Sequence, residues 1–230
     1  MDAEQLNERS SKMKRTNQGL ALAMLLGCVL SPVAGHAQDR TRAVFAMTNN
    51  VDSNQVLAFR RDGNGSLQEP HRFATGGRGS GGVTDPLESQ GSLTLSQDQS
   101  LLFAANAGSG EVTVFGVQGS HLFFLDKTSS GGSEPNAVAQ HGDLLYVLNT
   151  GGSSNVVGFR LTNGKLKKIM NSVRFLSTNT SGASGVVISP DGRFLVVVER
   201  LTNSLSQAAA AAVLRKLLRN GSYTSPLIQR

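Results

Sequence analysis

The 230-residue sequence predicts an all-β fold: a β-propeller of four-stranded blades, incomplete at about three and a half blades, with an Ala-rich helical C-terminal tail. Three observations predict it. An apolar strand closed by a polar residue recurs four times, a second strand closed by Phe follows it three times, and glycine-bearing hairpin signals separate the strands at matching positions. A β-sandwich also uses short strands, but it does not predict the same order of elements repeated along the chain.

The first element is Val44-Phe45-Ala46-Met47-Thr48-Asn49, repeated at 101–106, at 144–149 and, closed by Glu199 in place of Asn, at 194–199. Such continuous apolar runs suit strands buried on both faces. After a short Gly/Ser/Asn turn comes Val56-Leu57-Ala58-Phe59, repeated at 112–115 and 156–159. Each Phe is followed by a glycine turn and a Leu, as in Asn163-Gly164-Lys165-Leu166, where Asn-Gly supplies the positive φ of a tight hairpin. Two outer segments then end in Gly76-Gly77 and Gly131-Gly132. Ahead of the apolar strand lies a further short strand, 92–96 and 185–189, the latter running into the turn Pro190-Asp191-Gly192. Phe103 to Tyr146 is 43 residues and Tyr146 to Val196 is 50, the period of a propeller blade.

The N-terminal segment has separate logic. Lys12, Lys14 and Arg15 precede the apolar run 20–26, Pro32 breaks it, and Gly35-His36-Ala37 supplies small residues for a signal peptidase. Residues 1–37 are therefore expected to be a secretory signal, giving a periplasmic or extracellular protein with no stable membrane span. A buried N-terminal helix is one alternative. A second follows from Leu25-Leu26-Gly27-Cys28, which resembles a lipobox and would anchor the chain as a lipoprotein at Cys28. Cys28 is the single cysteine, so no disulfide forms within the chain.

The formal charge is +6, yet residues 38–206 carry fourteen Lys/Arg against thirteen Asp/Glu. The excess sits in the signal region and in the last residues, so the overall basicity argues for no nucleic-acid partner. With no Trp and two Tyr, a base-stacking surface is not expected either.

Several of these segments carry a family resemblance: 56–59, Ser89-Gln90-Gly91-Ser92-Leu93, 141–149, Asn155-Val156-Val157-Gly158-Phe159-Arg160 and Ser189-Pro190-Asp191-Gly192-Arg193. From Val44 to Asn203 the chain resembles the lactonase-type seven-bladed propellers, which include 6-phosphogluconolactonases and 3-carboxymuconate cyclase-like proteins. The resemblance implies lactone hydrolysis or cycloisomerisation of a small organic acid. Two departures are visible. The chain supplies three blades and part of a fourth. After Ser206 the sequence changes to Gln207, five alanines and 213–219 (VLRKLLR), expected as a basic helix. The domain reading is thus a signal at 1–37, a partial propeller at 38–206 and a divergent tail at 207–230, the product of a truncated or frame-disrupted gene. A genuine C-terminal interaction helix is the alternative.

In a propeller the loop preceding each innermost strand and the loop leaving the second strand share one mouth. That logic gathers Gln90, Asn136 and Ser184 near Asn106, Asn149, Glu199 and Arg200. Gln90, Asn106, Asn136 and Asn149 are the ligand-binding candidates. Glu199 and Arg200 are the catalytic candidates, one as general acid or base and the other as cation for a carboxylate or oxyanion; adjacent charges at a strand end are otherwise solvated surface groups. Many members of the family carry Pro-His at the start of the innermost strand; here the corresponding pairs are Gln90-Gly91, Pro135-Asn136 and Ser184-Gly185. His36, His71, His121 and His141 have no partners at ligand spacing, so no metal and no cofactor are expected. The stretch 77–82, glycine-rich around Arg78, does not open a helix after a strand and reads as a flexible connection, not a phosphate loop. Two functions follow: a lactonase or cycloisomerase whose activity this chain does not carry by itself, or a non-catalytic exported binding or scaffold propeller. Uncovered blade faces would favour self-association.

Overall fold

The computed structural model describes residues 42–82, 90–179 and 181–209; the expected signal segment and most of the expected tail lie outside them. The described chain forms antiparallel meanders, each from consecutive residues. The first sheet holds β1 (Arg42–Met47), β2 (Gln55–Arg61) and β3 (His71–Ala74). The second runs β4 (Leu93–Leu95), β5 (Leu101–Asn106), β6 (Glu111–Gln118) and β7 (His121–Ser129). The third runs β8 (Ser133–His141), β9 (Leu144–Gly151), β10 (Asn155–Thr162) and β11 (Lys165–Lys168), with β12 (Arg174–Phe175) also alongside β10. The fourth holds β13 (Ala183–Ile188), β14 (Phe194–Glu199) and β15 (Ser204–Ala209).

Local chemistry fixes the hairpins. Thr162 faces Lys165 across the two-residue turn Asn163-Gly164, whose φ values of 51° and 75° match the twist of the flanking strands. Packing fixes the order of sheets. Along β5, Leu102 and Ala104 enter a core with Val56 of the first sheet, while Phe103 and Ala105 enter one with Leu145 and Val147 of the third. Along β9, Tyr146 and Leu148 turn the other way, onto Val186, Leu195 and Val197 of the fourth sheet. Two-sided burial explains why these strands read as unbroken apolar runs. Burying each of the Leu, Val and Phe side chains stabilises the stack by about 1.5–3 kcal/mol.

The flanking sheets differ. In β14, Leu195 and Val197 are buried but Val198 is 41% exposed, and Val187 and Leu205 on the same face are 59% and 68% exposed. The predicted helix from Gln207 also needs correction at its start. Gln207, Ala208 and Ala209 continue β15, paired with Val196, Leu195 and Phe194. The backbone ladder offered by β14 outweighs alanine's helix preference there. The remainder of that tail, 210–230, is outside the described residues.

Candidate functional site

The mouth forms where the inner strands begin. Gln90 N donates to Ser184 O at 2.7 Å and the backbone bridges to Gly185, joining the start of β4 to β13. Asn136 Nδ2 donates to Ala183 O at 3.0 Å, and Val138 N to Gly91 O at 3.0 Å. Bulges between Pro135 and Ala137 and between Ala183 and Gly185 bend β8 and β13 at these contacts. The structure thus bonds Gln90 to Ser184 backbone to backbone and sets Asn136 beside them on the carbonyl of Ala183.

The strand-closing residues have a different setting. Asn106 is fully buried between the first and second sheets. Its Oδ1 accepts from Asn54 Nδ2 at 2.9 Å and Thr75 Oγ1 at 2.7 Å, and its Nδ2 donates to Thr113 Oγ1 at 2.9 Å. Asn149 repeats the position between the second and third sheets, donating to Ser130 O and to Asn155 Oδ1. Each amide lies flat on a glycine: a Cβ on Gly77 would come within 2.5 Å of Asn106, and one on Gly132 within 2.6 Å of Asn149. Glu199 is likewise fully buried, its carboxylate accepting from Ser177 Oγ and Ser206 Oγ. Arg200 is exposed and opens a short 3-10 turn, Arg200–Thr202. The adjacent charges therefore do not share the solvated strand end that the sequence suggested.

Beside this lies a cleft of about 640 Å³ whose lining includes Val51, Arg78, Ser80, Ser109, Ser133 and Glu134, drawn from three loops and the start of β8. The glycine-rich stretch at its rim is pinned, not flexible. Gly79 N donates to Asn50 O at 2.7 Å, Ser80 N to Asn49 Oδ1 at 2.8 Å, Arg78 N to Ser109 Oγ at 3.0 Å, and Gly108 N to Arg78 O at 3.0 Å. Ser109 Oγ in turn donates to Glu111, which forms an ion pair of 2.8 Å with Lys127. Burial pushes the Glu111 carboxyl up, but the bonds from Lys127 and Ser109 and the nearby positive charges of Lys127 and Arg78 hold it below its ordinary value. Glu134 sits in the left-handed region at φ 51°, costly for a residue with a Cβ, and its carboxyl end lies over Gly151. Sequence reasoning missed Arg78 and Glu134. The available signal was two charged residues, each beside a Gly-Gly or Gly-Ser connection.

The histidines lie apart. His121 stacks edge-on against Phe73 and Phe123, His71 is in β3, and His141 Nδ1 is 3.1 Å from Gln97 Nε2. Among the described residues no cluster of three His, Cys, Asp or Glu could hold a metal.

Consecutive antiparallel meanders stacked face to face define β-propeller blades. Residues 36–177 match the profile of the family "Lactonase, 7-bladed beta-propeller", and the chain belongs to that family. Solved structures agree on the fold. A proposed 6-phosphogluconolactonase from Bacteroides uniformis shares 19% identity at a TM-score of 0.54, over 73% of this chain and 47% of that one. A protein of unknown function from Desulfotomaculum acetoxidans shares 18% at 0.54, over 73% and 54%. A proposed 6-phosphogluconolactonase from Bacteroides fragilis shares 18% at 0.50, over 75% and 52%. The chain thus spans about half the length of the structures it matches. No curated protein matches it.

Proposed function

We propose that this chain is the partial ring of an exported lactonase-family propeller, 3-carboxymuconate cyclase-like, whose whole ring hydrolyses or cycloisomerises a lactone of a small organic acid. The observation that carries this reading is the family match over residues 36–177. Chemistry in the cleft supports it: the Arg78 guanidinium suits a carboxylate or developing oxyanion, and the Glu134 carboxylate suits proton transfer with water. The described blades alone bind the acid without turning it over, because Gln90 is bonded to Ser184, Asn136 to the carbonyl of Ala183 and Glu199 to two serines.

Calorimetry of the full chain with gluconate, and proton release from glucono-lactone with and without a 6-phosphate, test this. Weak binding of the acid, reduced at least about tenfold by Arg78→Ala, with no turnover above the blank, is expected. Turnover that survives purification and is lost in the Glu134→Gln variant would show that this chain is itself catalytic.

The second reading is a non-catalytic extracytoplasmic binding or scaffold propeller. It is favoured by the small residues of the cleft and by the exposed apolar face of Val187, Val198 and Leu205, which suits self-association. Concentration-dependent elution on size exclusion, abolished by Val187→Lys with Leu205→Lys, is its signature.

A further inference from the structure

Acidic residues are missing from a long part of the chain. Between Asp143 and Asp191 no Asp or Glu occurs, while Arg160, Lys165, Lys167, Lys168 and Arg174 do. The topology puts the lysines and Arg174 on one outer edge of the third sheet, with Arg160 on the strand behind it. β11 carries the three lysines, all exposed, around the buried Leu166. β12, further along the same flank of β10, carries Arg174. Arg160 lies directly opposite Lys167 and pairs with Asp143. Asp126, on the neighbouring strand β7 of the second sheet, accepts from the backbone N of Leu166 at 2.8 Å. Lys165 and Lys167 therefore face outward, away from the buried Leu166, beside carboxylates that are already engaged, while Lys168 shares the Leu166 side and lays its Nζ over Gly131.

The same edge holds two large apolar side chains in the open. Met170, in the loop between β11 and β12, is 75% exposed, and Phe175 is 70% exposed, the highest values for large hydrophobics among the described residues. Arg174 donates to Asn171 O and Val173 O at 2.8 and 2.7 Å, which fixes this loop in place. Lysines on an edge strand guard against strand addition. That role does not account for Met170 and Phe175, since an edge guarded only against pairing gains nothing from exposed apolar groups.

Cations flanking protruding apolar side chains meet the two demands of a lipid interface, anionic headgroups and an apolar layer beneath. We propose that the outer edge of the third sheet docks this protein onto an anionic lipid bilayer, with Lys165 and Lys167 against the headgroups and Met170 and Phe175 in the interfacial layer. Nucleic acid or a soluble polyanion would use the lysines but not Met170.

Co-sedimentation of the full chain with phosphatidylcholine vesicles, with and without a quarter of phosphatidylglycerol, tests the proposal. Each lysine contributes about fivefold to partitioning, so Lys165→Gln with Lys167→Gln should lower binding about 25-fold on anionic vesicles. Met170→Ser with Phe175→Ser should lower it about tenfold while leaving the salt dependence unchanged. Arg72→Gln, on the first sheet, should change nothing. Vesicle binding that persists undiminished when all four edge residues are replaced would overturn the proposal. So would binding to heparin as tight as to vesicles and indifferent to Met170 and Phe175.

Discussion

The second and fourth sheets carry the same sequence plan and solve the same packing problem with different chemistry. In each, the strand-closing residue, Asn106 or Glu199, is fully buried against the sheet before it. Asn106 meets a loop whose Gly77 has no side chain, so an amide that both donates and accepts reaches past it to Thr75, Asn54 and Thr113. Glu199 meets Ser177, which brings its own hydroxyl, so a group that only accepts suffices. The clamp position is thus general, and its residue type follows what the preceding loop presents.

The largest expected effect comes from filling the glycine. Gly77→Ala should cost about 3 kcal/mol in urea unfolding, because its Cβ would sit within 2.5 Å of Asn106. Adding Asn106→Ala should then cost less than it does alone, and full additivity would break the idea of a clamp. By itself Asn106→Ala should cost about 2 kcal/mol, since it strands buried partners. Asn149→Ala should cost about 1 kcal/mol, because the Asn149 Oδ1 accepts no hydrogen bond. Glu199→Ala should resemble Asn149→Ala, as the hydroxyls of Ser177 and Ser206 can rotate to other acceptors; a much larger loss would mark Glu199 as more than a clamp.

The smallest effect lies in the hairpins, where the comparison repeats. Asp98 accepts from Ser96 Oγ, Asp191 from Ser189 Oγ. The Ser96 bond, followed by those from Ser100, lowers Asp98 from its ordinary 3.8 to about 2. Asp191 is lowered in the same way, by Ser189 first and then by the backbone of Arg193. A depressed carboxylate stabilises the fold above its unfolded value and loses that contribution as pH falls through the folded one. Acid titration of stability should therefore be shallower in Asp98→Asn than in the parent between pH 3.8 and about 2.

The strands were legible because two-sided burial writes itself into the chain: residues 101–106 and 194–199 were bounded correctly from their apolar runs. That uncovered blade faces exist followed from the blade count, but which residues of β14 lie on one was not legible, since the valines look alike in either case. The mouth grouping of Gln90, Asn136 and Ser184 followed from antiparallel geometry alone. The role of Asn106 and Asn149 did not. An Asn closing a strand at the mouth reads as a ligand-binding candidate, and only the glycine loop of the preceding sheet reveals the burial. Arg78 and Glu134 were hidden for another reason: their cleft is assembled from loops and the start of β8, each unremarkable on its own.

The bond from Gln90 N to Ser184 O also sets a schedule. A ribosome releases the donor well before the acceptor, and each meander can close on itself as soon as its own hairpins exist. This contact must wait until three sheets stand in line. Protection of the Gln90 amide from hydrogen exchange would therefore time the alignment of these three sheets, separately from the formation of any single one.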